Sequence, residues 1–298
     1  MVAPVTLDAD DESPTRGRRA TRRPTLRARI RQKLLEPAGA VAGLVGRGLD
    51  RPVFVIGSGR CGTTLLTDVL DSHPGLVGYP DEANHLWHPV SYPFEASAIA
   101  TAPIEADPAA FTAQSLAHWP RGHEDRIRRV FAGYRLLAGG SGRLFVKSAM
   151  ISHMVPTIDR MFPDAFFVHL YRNGPSVVAS YMKKNFGRYT RYRPSEAAYR
   201  NACAAYWNDC LLEIDRAANE LRLRNGRFHE LSYEALCDAP GKVLSELTAA
   251  LGIDPNAFGY DLSRIRSTNY KVGEWAESPE WASALERMRP AMRRKGYV

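Results

Sequence analysis

The sequence predicts an α/β fold in which helices flank a central, mainly parallel sheet. Two short apolar segments, residues 52–56 and 166–171, are rich in β-branched and aromatic side chains, as parallel strands covered on both faces are. Each is followed by a helical pattern, and this alternation is typical of α/β sheets. The 298 residues, 45% of them hydrophobic, suffice for one sizeable core. We therefore expect one folded domain over residues 50–298.

A glycine-rich turn follows the first predicted strand. Gly57, Gly59 and Gly62 allow the backbone to approach a ligand closely, and the helix that follows offers unpaired N–H groups to an anion. The spacing of Gly57 and Gly62 matches the loop that binds nucleotide triphosphates, G-x-x-x-x-G-K-[ST]. However, Thr63 stands where that loop needs Lys, and the cation comes earlier, at Arg60. The turn therefore predicts a phosphate site whose natural ligand is not ATP with magnesium.

A second anion site is predicted where the strand over residues 166–171 ends. Arg172 stands directly after this strand, and open parallel sheets bind ligands outside the carboxyl ends of their strands. Asn173 is a typical helix cap, and Pro175 suits a first helical turn. Ser180 then falls in the second turn. We expect the guanidinium of Arg172 and the hydroxyl of Ser180 to converge on one phosphate.

These two segments together resemble the sulfotransferases that use 3′-phosphoadenosine-5′-phosphosulfate (PAPS). The cation-Cys-Gly-Thr-Thr sequence of residues 60–64 is similar to their P-loop-like 5′-phosphosulfate loop, and Arg172 with Ser180 matches their 3′-phosphate motif. The resemblance covers roughly residues 50–298 and implies transfer of a sulfuryl group from PAPS to a hydroxyl acceptor, with no metal expected. It implies that PAPS binds at Gly59, Arg60, Cys61, Gly62, Thr63, Thr64, Leu65, Arg172, Ser180, Tyr233, Lys271 and Gly273.

Three further segments agree with the resemblance. Residues 142–147 form a predicted strand that ends in Lys147, where the family carries a Lys near the transferred group. Tyr233 begins a Tyr-Glu-x-Leu sequence whose Tyr lies near the adenine in the family. Residues 271–275 resemble a late Gly-x-Trp loop that closes over the 3′-phosphate. The resemblance thus implies catalytic roles for Arg60, which holds the 5′-phosphate and the bridging oxygen, and for Lys147.

The general base is left open by the sequence. Cytosolic members of the family carry a His two residues after the strand-end Lys, but here that position is Ala149. Other branches, including the tyrosylprotein sulfotransferases, place a Glu shortly after the first helix. We favour Glu82 as the base, with Asp81 second and His153 third. A carboxylate needs a hydrophobic environment to raise its pKa toward neutrality.

Helical periodicity predicts the main helices, over residues 63–72, 151–162, 176–186 and 195–224. In the longest, the aromatic positions Tyr199, Tyr206 and Trp207 predict a packed face. Residues 85–143 lack a sheet pattern and contain several aromatic and His side chains. Because specificity in such folds is carried by inserted loops, we expect this insert to shape the acceptor pocket. Its aromatics suit a small molecule, a carbohydrate or a lipid headgroup.

The net charge of +8 comes from the N-terminal tail, predicted over residues 1–49. Residues 16–33 hold nine Lys and Arg and no acid, so the rest of the chain carries about −1. The tail is predicted to be largely disordered, with a short helix within residues 25–49. It has the charge for weak contact with an acidic membrane surface, and no specific nucleic-acid partner is expected. The apolar run 37–46 is too short to span a bilayer, so we expect a cytoplasmic enzyme.

Two other enzyme classes and a binding module compete with this interpretation. An atypical P-loop kinase or nucleotide hydrolase requires a Lys before the loop Thr, and this chain lacks it. A helix N-terminus and Arg60 are expected to lower the pKa of Cys61, as in enzymes with a catalytic thiolate. Tyrosine phosphatases, however, place an Arg six residues after the Cys, and here residue 67 is Thr. A nucleic-acid or membrane module would depend on the arginine-rich tail.

Overall fold

The computed structural model describes residues 26–44, 49–89, 108–139, 142–149, 151–189, 195–265 and 278–298. The chain divides into two compact units, Met1–Leu34 and Leu35–Val298. Helix α1 spans Leu26–Leu44, and its first part is what the structure describes of the first unit. Residues 16–25 of the arginine-rich tail lie outside the described part of the chain, and the domain boundary predicted after residue 49 stays a prediction. The sheet and the remaining helices belong to the second unit.

The second unit is built on a parallel sheet of five strands. These are β1 Val53–Ile56, β2 Leu76–Gly78, β3 Arg143–Lys147, β4 Phe166–Tyr171 and β5 Phe228–Ser232. Their order across the sheet is β2-β3-β1-β4-β5, and every pairing is parallel. The predicted α/β fold is therefore confirmed. The two strands that precede the predicted phosphate sites, β1 and β4, are neighbours at the centre of the sheet.

The remaining helices lie in the connections between the strands and after the last strand, β5. They are α2 Thr63–Leu70, α3 Asn84–Trp87, α4 Pro108–Ala117, α5 His123–Leu137, α6 Val155–Met161, α7 Gly174–Tyr189, α8 Glu196–Glu220, α9 Tyr233–Asp238, α10 Pro240–Leu251 and α11 Ala282–Arg294. Short 3₁₀ turns occupy Ser152–Met154, Leu262–Arg264 and Pro279–Trp281. Within the described ranges, no helix combines the length and hydropathy that crossing a bilayer requires.

The predicted elements differ from the observed ones mainly at their ends. The helix predicted over residues 151–162 is a 3₁₀ turn followed by α6, because Pro156 enters at the first turn of the α-helix, where it is best tolerated. The helix predicted from residue 176 begins at Gly174, directly after Asn173, whose side-chain oxygen accepts a hydrogen bond from the Ser176 amide at 3.3 Å. Strand β2 was not predicted, since three residues carry too little periodicity.

Two hydrophobic layers cover the sheet, one on each face. Along β1, Val53 and Val55 point into the layer that contains α2, α7 and α8, while Phe54 and Ile56 point into the layer of α3, α5 and α6. The predicted aromatic face of α8 is buried: Tyr199 and Trp207 are both 0% exposed. These residues belong to the core, which leaves the carboxyl ends of the strands to carry the chemistry.

Helices α1 and α5 approach each other through two glycines. A Cβ on Gly133 in α5 would collide with the carbonyl oxygen of Leu35, and a Cβ on Gly39 in α1 would collide with the carbonyl of Arg129. Because the obstacle in both cases is backbone, it cannot rotate away. Close packing at these two positions fixes this part of α1 on the domain.

Replacing Gly133 with Ala should lower the free energy of unfolding by about 1–3 kcal/mol, because the added methyl group overpacks the contact with Leu35. Urea denaturation measures this change. Gly241→Ala in α10 is the matched control, since nothing lies within 4 Å of the position that its methyl group would take. The control should be neutral or stabilising by up to about 1 kcal/mol. Equal stability of both variants would contradict the close helix contact.

Candidate active site

The turn between β1 and α2 has the backbone shape that its glycines predict. Gly57 and Gly62 adopt φ of 154° and 99°, in a region that side chains strongly disfavour. A Cβ on Gly57 would collide with the carbonyl oxygen of Leu170 in β4, and a Cβ on Gly62 with the ring of Tyr233. The turn is therefore pressed against the end of β4 and the start of α9. This proximity requires glycine at both positions.

The two predicted phosphate segments meet at the carboxyl ends of β1 and β4. Arg60 Nε donates a hydrogen bond to Ser180 Oγ at 3.1 Å. Arg172 Nη1 lies 3.4 Å from the Arg60 carbonyl oxygen, and the Arg172 guanidinium lies 4.5 Å from the centre of the Tyr233 ring. Arg172 is only 9% exposed. The structure thus brings together Arg60, Arg172, Ser180 and Tyr233, which are far apart in sequence.

The loop positions around Arg60 divide between core and surface. Cys61 is fully buried, Thr63 is 6% exposed, and Leu65 packs against the hydrophobic layer on this face of the sheet. Thr64 is exposed at the first turn of α2. The helix N-terminus concentrates partial positive charge at this point, which favours an anion beside Thr63 and Thr64.

Tyr181 is a residue that sequence reasoning missed. A Cβ on Gly59 would collide with the Tyr181 hydroxyl, so this phenol lies directly against the phosphate turn. Its ring packs edge-on against Tyr206 at 6.2 Å, and Tyr206 in turn donates to the Ala149 carbonyl at 3.0 Å. An aromatic side chain in an amphipathic helix predicts core packing, so only its position directly after Ser180 could have indicated the site.

A second cluster of polar side chains lies at the end of β3. Lys147 Nζ and Glu82 Oε1 form an ion pair at 2.8 Å, and their side chains are 18% and 32% exposed. Asn84 links the pair to the strand end: its amide donates to Glu82 Oε2 at 3.5 Å, and its oxygen accepts from Ser148 Oγ at 3.5 Å. Ala83 lies between Glu82 and Asn84 with a left-handed φ of 51°, a strained conformation that directs the flanking side chains.

The other candidate bases have different surroundings. Asp81 Oδ1 accepts a hydrogen bond from the Ala83 amide at 2.6 Å, so this carboxylate supports the turn that presents Glu82. His153 lies in the 3₁₀ turn beside Ser152, whose hydroxyl donates to the Gly57 carbonyl at 3.4 Å. The predicted cofactor residues Lys271 and Gly273 lie outside the described part of the chain.

The expected lowering of the Cys61 pKa is wrong. Burial of the thiol raises its pKa to about 12, although hydrogen bonds from the Thr63 and Cys61 amides and the charges of Arg172 and Lys147 act in the opposite direction. Desolvation of the thiolate outweighs the helix N-terminus, because the sulfur has no exposed surface. Cys61 therefore packs the turn as a neutral thiol.

Part of the predicted acceptor insert surrounds a cleft of about 450 Å³. Its lining residues come from α4, α5, α6 and the turn between α4 and α5, among them Trp119, His123, Arg128 and Arg160. His123 and Trp119 are tied to α3, because His123 Nε2 bonds the Leu86 carbonyl at 2.8 Å and Trp119 Nε1 donates to the Trp87 carbonyl at 3.1 Å. The two rings belong to the framework that holds α3, the helix directly after Glu82 and Ala83.

Fold and site together define an α/β protein that brings two arginines, Arg60 and Arg172, together at the carboxyl ends of its central parallel strands. A model of the sulfotransferase family matches residues 52–257, so the chain belongs to the sulfotransferase family. The matched range includes both phosphate segments and the pair formed by Lys147 and Glu82. The sequence-based recognition of this family is confirmed.

Known proteins similar to this chain include two solved sulfotransferase structures and one uncharacterized protein. The sulfotransferase domain from the curacin biosynthetic pathway is 21% identical, with a TM-score of 0.51 over 79% of this chain and 83% of that one. A sulfotransferase from Mycobacterium tuberculosis is 17% identical, with a TM-score of 0.51 over 87% and 82% of the two chains. At these identities the structures support the fold alone. An uncharacterized protein of Aquifex aeolicus is 29% identical over 216 residues, which are 68% of this chain and 26% of that protein.

Cys61 should resist alkylation in the folded enzyme, because its fully buried sulfur is out of reach of the reagent and its raised pKa keeps the thiol protonated at pH 8. We expect iodoacetamide to modify Cys61 at least about tenfold more slowly than the partly exposed Cys237. Mass spectrometry of the peptides measures both rates, and unfolding in urea should remove the difference. Equal rates in the folded protein would contradict the assignment of Cys61 as an inert packing residue.

Proposed function

We propose that this enzyme transfers the sulfuryl group of PAPS to the hydroxyl group of a small-molecule acceptor. One observation carries the proposal: Arg60, Arg172 and Ser180 converge at the carboxyl ends of β1 and β4, with Arg60 bonded to Ser180 and Arg172 in contact with the Arg60 carbonyl. Two cations and a hydroxyl beside a helix N-terminus suit a ligand that carries two separate anionic groups.

Arg172 and Ser180 are proposed to hold the 3′-phosphate. The Arg172 guanidinium is buried against the Tyr233 ring, where it gains a cation–π contact and loses hydration. Its planar set of donors suits bidentate binding of a phosphate. Tyr233 also borders Gly62, so its ring supports both phosphate segments. Contact of Tyr233 with the adenine is a further part of the proposal.

Arg60, Thr63 and Thr64 are proposed to hold the 5′-phosphate and the bridging oxygen. PAPS supplies the sulfuryl group, and charge develops on the bridging oxygen as that group leaves. Donors that are already oriented stabilise such charge, and the loss of one typically costs about 10²- to 10³-fold in rate. The left-handed φ of 68° at Arg60 shows that the turn is held in one strained shape.

Glu82 is proposed to accept the proton of the acceptor hydroxyl. Its carboxylate is partly exposed and is oriented by Lys147 and Asn84. Lys147 pairs with the Glu82 carboxylate. It is also proposed to bind the sulfuryl oxygens of the donor. We propose that Lys147 turns toward the sulfuryl oxygens when the donor binds, which frees the Glu82 carboxylate to act as base. Asp81 and His153 remain the alternative bases.

The acceptor class is proposed from the chemistry of the family and from the insert. A carbohydrate or lipid hydroxyl suits the aromatic side chains of residues 85–143, part of which line the cleft described above. The family supports transfer to a small molecule. Weak contact of the tail with a membrane surface stays a prediction from charge. The competing kinase function would require preference for ATP with magnesium.

Calorimetric titration with adenosine 3′,5′-bisphosphate tests the donor site, with adenosine 5′-monophosphate and ATP plus magnesium as controls. We expect tight binding that depends on the 3′-phosphate. Arg172→Ala should weaken binding of the bisphosphate by about 10- to 100-fold, since it removes charged hydrogen bonds, and should leave binding of the monophosphate nearly unchanged. Arg216→Ala is the control, because Arg216 is an exposed residue of α8 that pairs with its helix neighbours Glu213 and Glu220. Preference for ATP with magnesium would refute the proposed function.

Glu82→Gln should lower kcat by at least about 100-fold, because the amide cannot accept the proton, while affinity for the bisphosphate survives. Turnover is measured with PAPS and an acceptor found by screening, and affinity by calorimetry. Glu286→Gln changes an exposed carboxylate on α11 in the same way and should leave both quantities unchanged. A near-normal rate for Glu82→Gln would transfer the role of base to Asp81 or His153, which Asp81→Asn and His153→Ala would then distinguish.

A further inference from the structure

The segment Lys295–Gly296–Tyr297 follows α11 and returns to the sheet. Gly296 has a left-handed φ of 74°, its amide donates to the Arg293 carbonyl at 3.2 Å, and the Tyr297 amide donates to the Met292 carbonyl at 2.9 Å. This closure is a common helix end that requires glycine at the left-handed position. It reverses the chain so that the side chains of Lys295 and Tyr297 point to the region where β4 and β5 end.

Lys295 anchors the segment between two acids. Its side chain is 3% exposed, and its Nζ lies 3.0 Å from Asp215 Oδ1 and 2.5 Å from Glu230 Oε2. It also lies 5.0 Å from the centre of the Tyr171 ring. The ligand atoms of Asp215, Glu230 and His169 lie within 4.8 Å of one another, but the ammonium group already supplies the positive charge there. We therefore interpret this cluster as an anchor for the segment.

Tyr297 reaches the residue next to Arg172 through one carboxylate. Its hydroxyl donates to Glu234 Oε2 at 2.9 Å, and Glu234 Oε1 accepts from the Asn173 amide at 2.9 Å. Glu234 is 7% exposed and Asn173 is fully buried. The Tyr297 ring also packs edge-on against Tyr171 at 6.2 Å. Tyr171 and Asn173 are the two chain neighbours of Arg172, and the segment reaches the first directly and the second through Glu234.

The peptide group between Arg172 and Asn173 is held at both of its polar atoms. Its carbonyl oxygen accepts from Trp207 Nε1 at 3.0 Å, and its N–H donates to Glu234. A buried carboxylate must find donors, and the two described for Glu234 are this amide and the Tyr297 hydroxyl. A negative charge near a phosphate site opposes phosphate binding. The benefit of Glu234 is therefore the orientation that it imposes on the backbone of Arg172.

We propose that Tyr297 is a positioning residue for the 3′-phosphate: it fixes Glu234, which fixes the peptide group that carries Arg172. The inference rests on the proposed function, since it assigns the 3′-phosphate to Arg172. It adds to that function a residue that lies at the far end of the sequence and takes part through two hydrogen bonds. Without the Tyr297 hydroxyl, Glu234 keeps one donor fewer and the guanidinium samples more orientations.

Tyr297→Phe in the full chain tests the proposal, because it deletes a single hydroxyl. Calorimetry should show about 3- to 10-fold weaker binding of adenosine 3′,5′-bisphosphate, the range that matches the net contribution of one typical hydrogen bond, and unchanged binding of adenosine 5′-monophosphate. Tyr260→Phe is the matched control, because Tyr260 lies near the C-terminal end of α2, where the amide of the preceding Gly259 donates to the Ser72 carbonyl. The control should bind both nucleotides as the unmodified enzyme does.

A double-mutant cycle with Arg172→Ala separates positioning from general destabilisation. If Tyr297 acts through Arg172, Tyr297→Phe should cause no further loss of bisphosphate affinity once Arg172 is gone. Additive losses, equal losses for both nucleotides, or no loss at all would overturn the inference while leaving the donor site intact. Failure of the unmodified enzyme to distinguish the two nucleotides would instead refute the proposed function on which the inference rests.

Discussion

The parallel pairing of β1 with β4 is the constraint on which the candidate site depends. In this register Ile56, the last residue of β1, lies opposite His169. The chain therefore turns away after Ile56, whereas β4 continues to Tyr171. Gly57 then lies against the Leu170 carbonyl, and Arg172 emerges beside Arg60. A shift of one residue would turn every side chain of the strand to the opposite face and would move Arg172 away from its place beside Arg60. The packing of two apolar strands thus places two polar groups next to each other.

Two acids, Glu230 and Glu234, stabilise the positions of Lys295 and of the backbone next to Arg172. Burial alone would raise the pKa of Glu230, but hydrogen bonds from His169 and Lys295 and the charge of Lys295 lower it to about 2, so the carboxylate remains ionised at neutral pH. This charge retains Lys295, which in turn retains the segment that reaches Glu234. The two acids secure the backbone at the ends of β4 and β5, where the proposed 3′-phosphate site requires rigidity.

Sequence patterns predicted what depends on local composition. Glycine spacing and a strand-end Arg were enough to predict the backbone shape of the turn after β1 and the place of Arg172 after β4, because both follow apolar strands with a clear pattern; phosphate binding there stays a prediction. Contacts made by partners distant in sequence could not be predicted: Tyr181 and Glu234 look like ordinary helix residues until the fold brings them to Gly59 and Asn173. The expected lowering of the Cys61 pKa was wrong for a related reason. A helix N-terminus is visible in the sequence, whereas complete burial of one sulfur is not.

The position of the proposed base, Glu82, depends on strand β2, which was not predicted. Strand β2 joins the sheet at the edge beside β3, with Gly78 opposite Phe145, and the Tyr79 amide donates to the Phe145 carbonyl at 2.8 Å. The chain that leaves β2 must therefore pass the end of β3, where Lys147 stands. Glu82 meets Lys147 within this short connection, whereas the carbonyl of Ala149 is bonded by Tyr206. A carboxylate can thus reach the Lys without any change in the sheet, so the fold does not require a His two residues after that Lys.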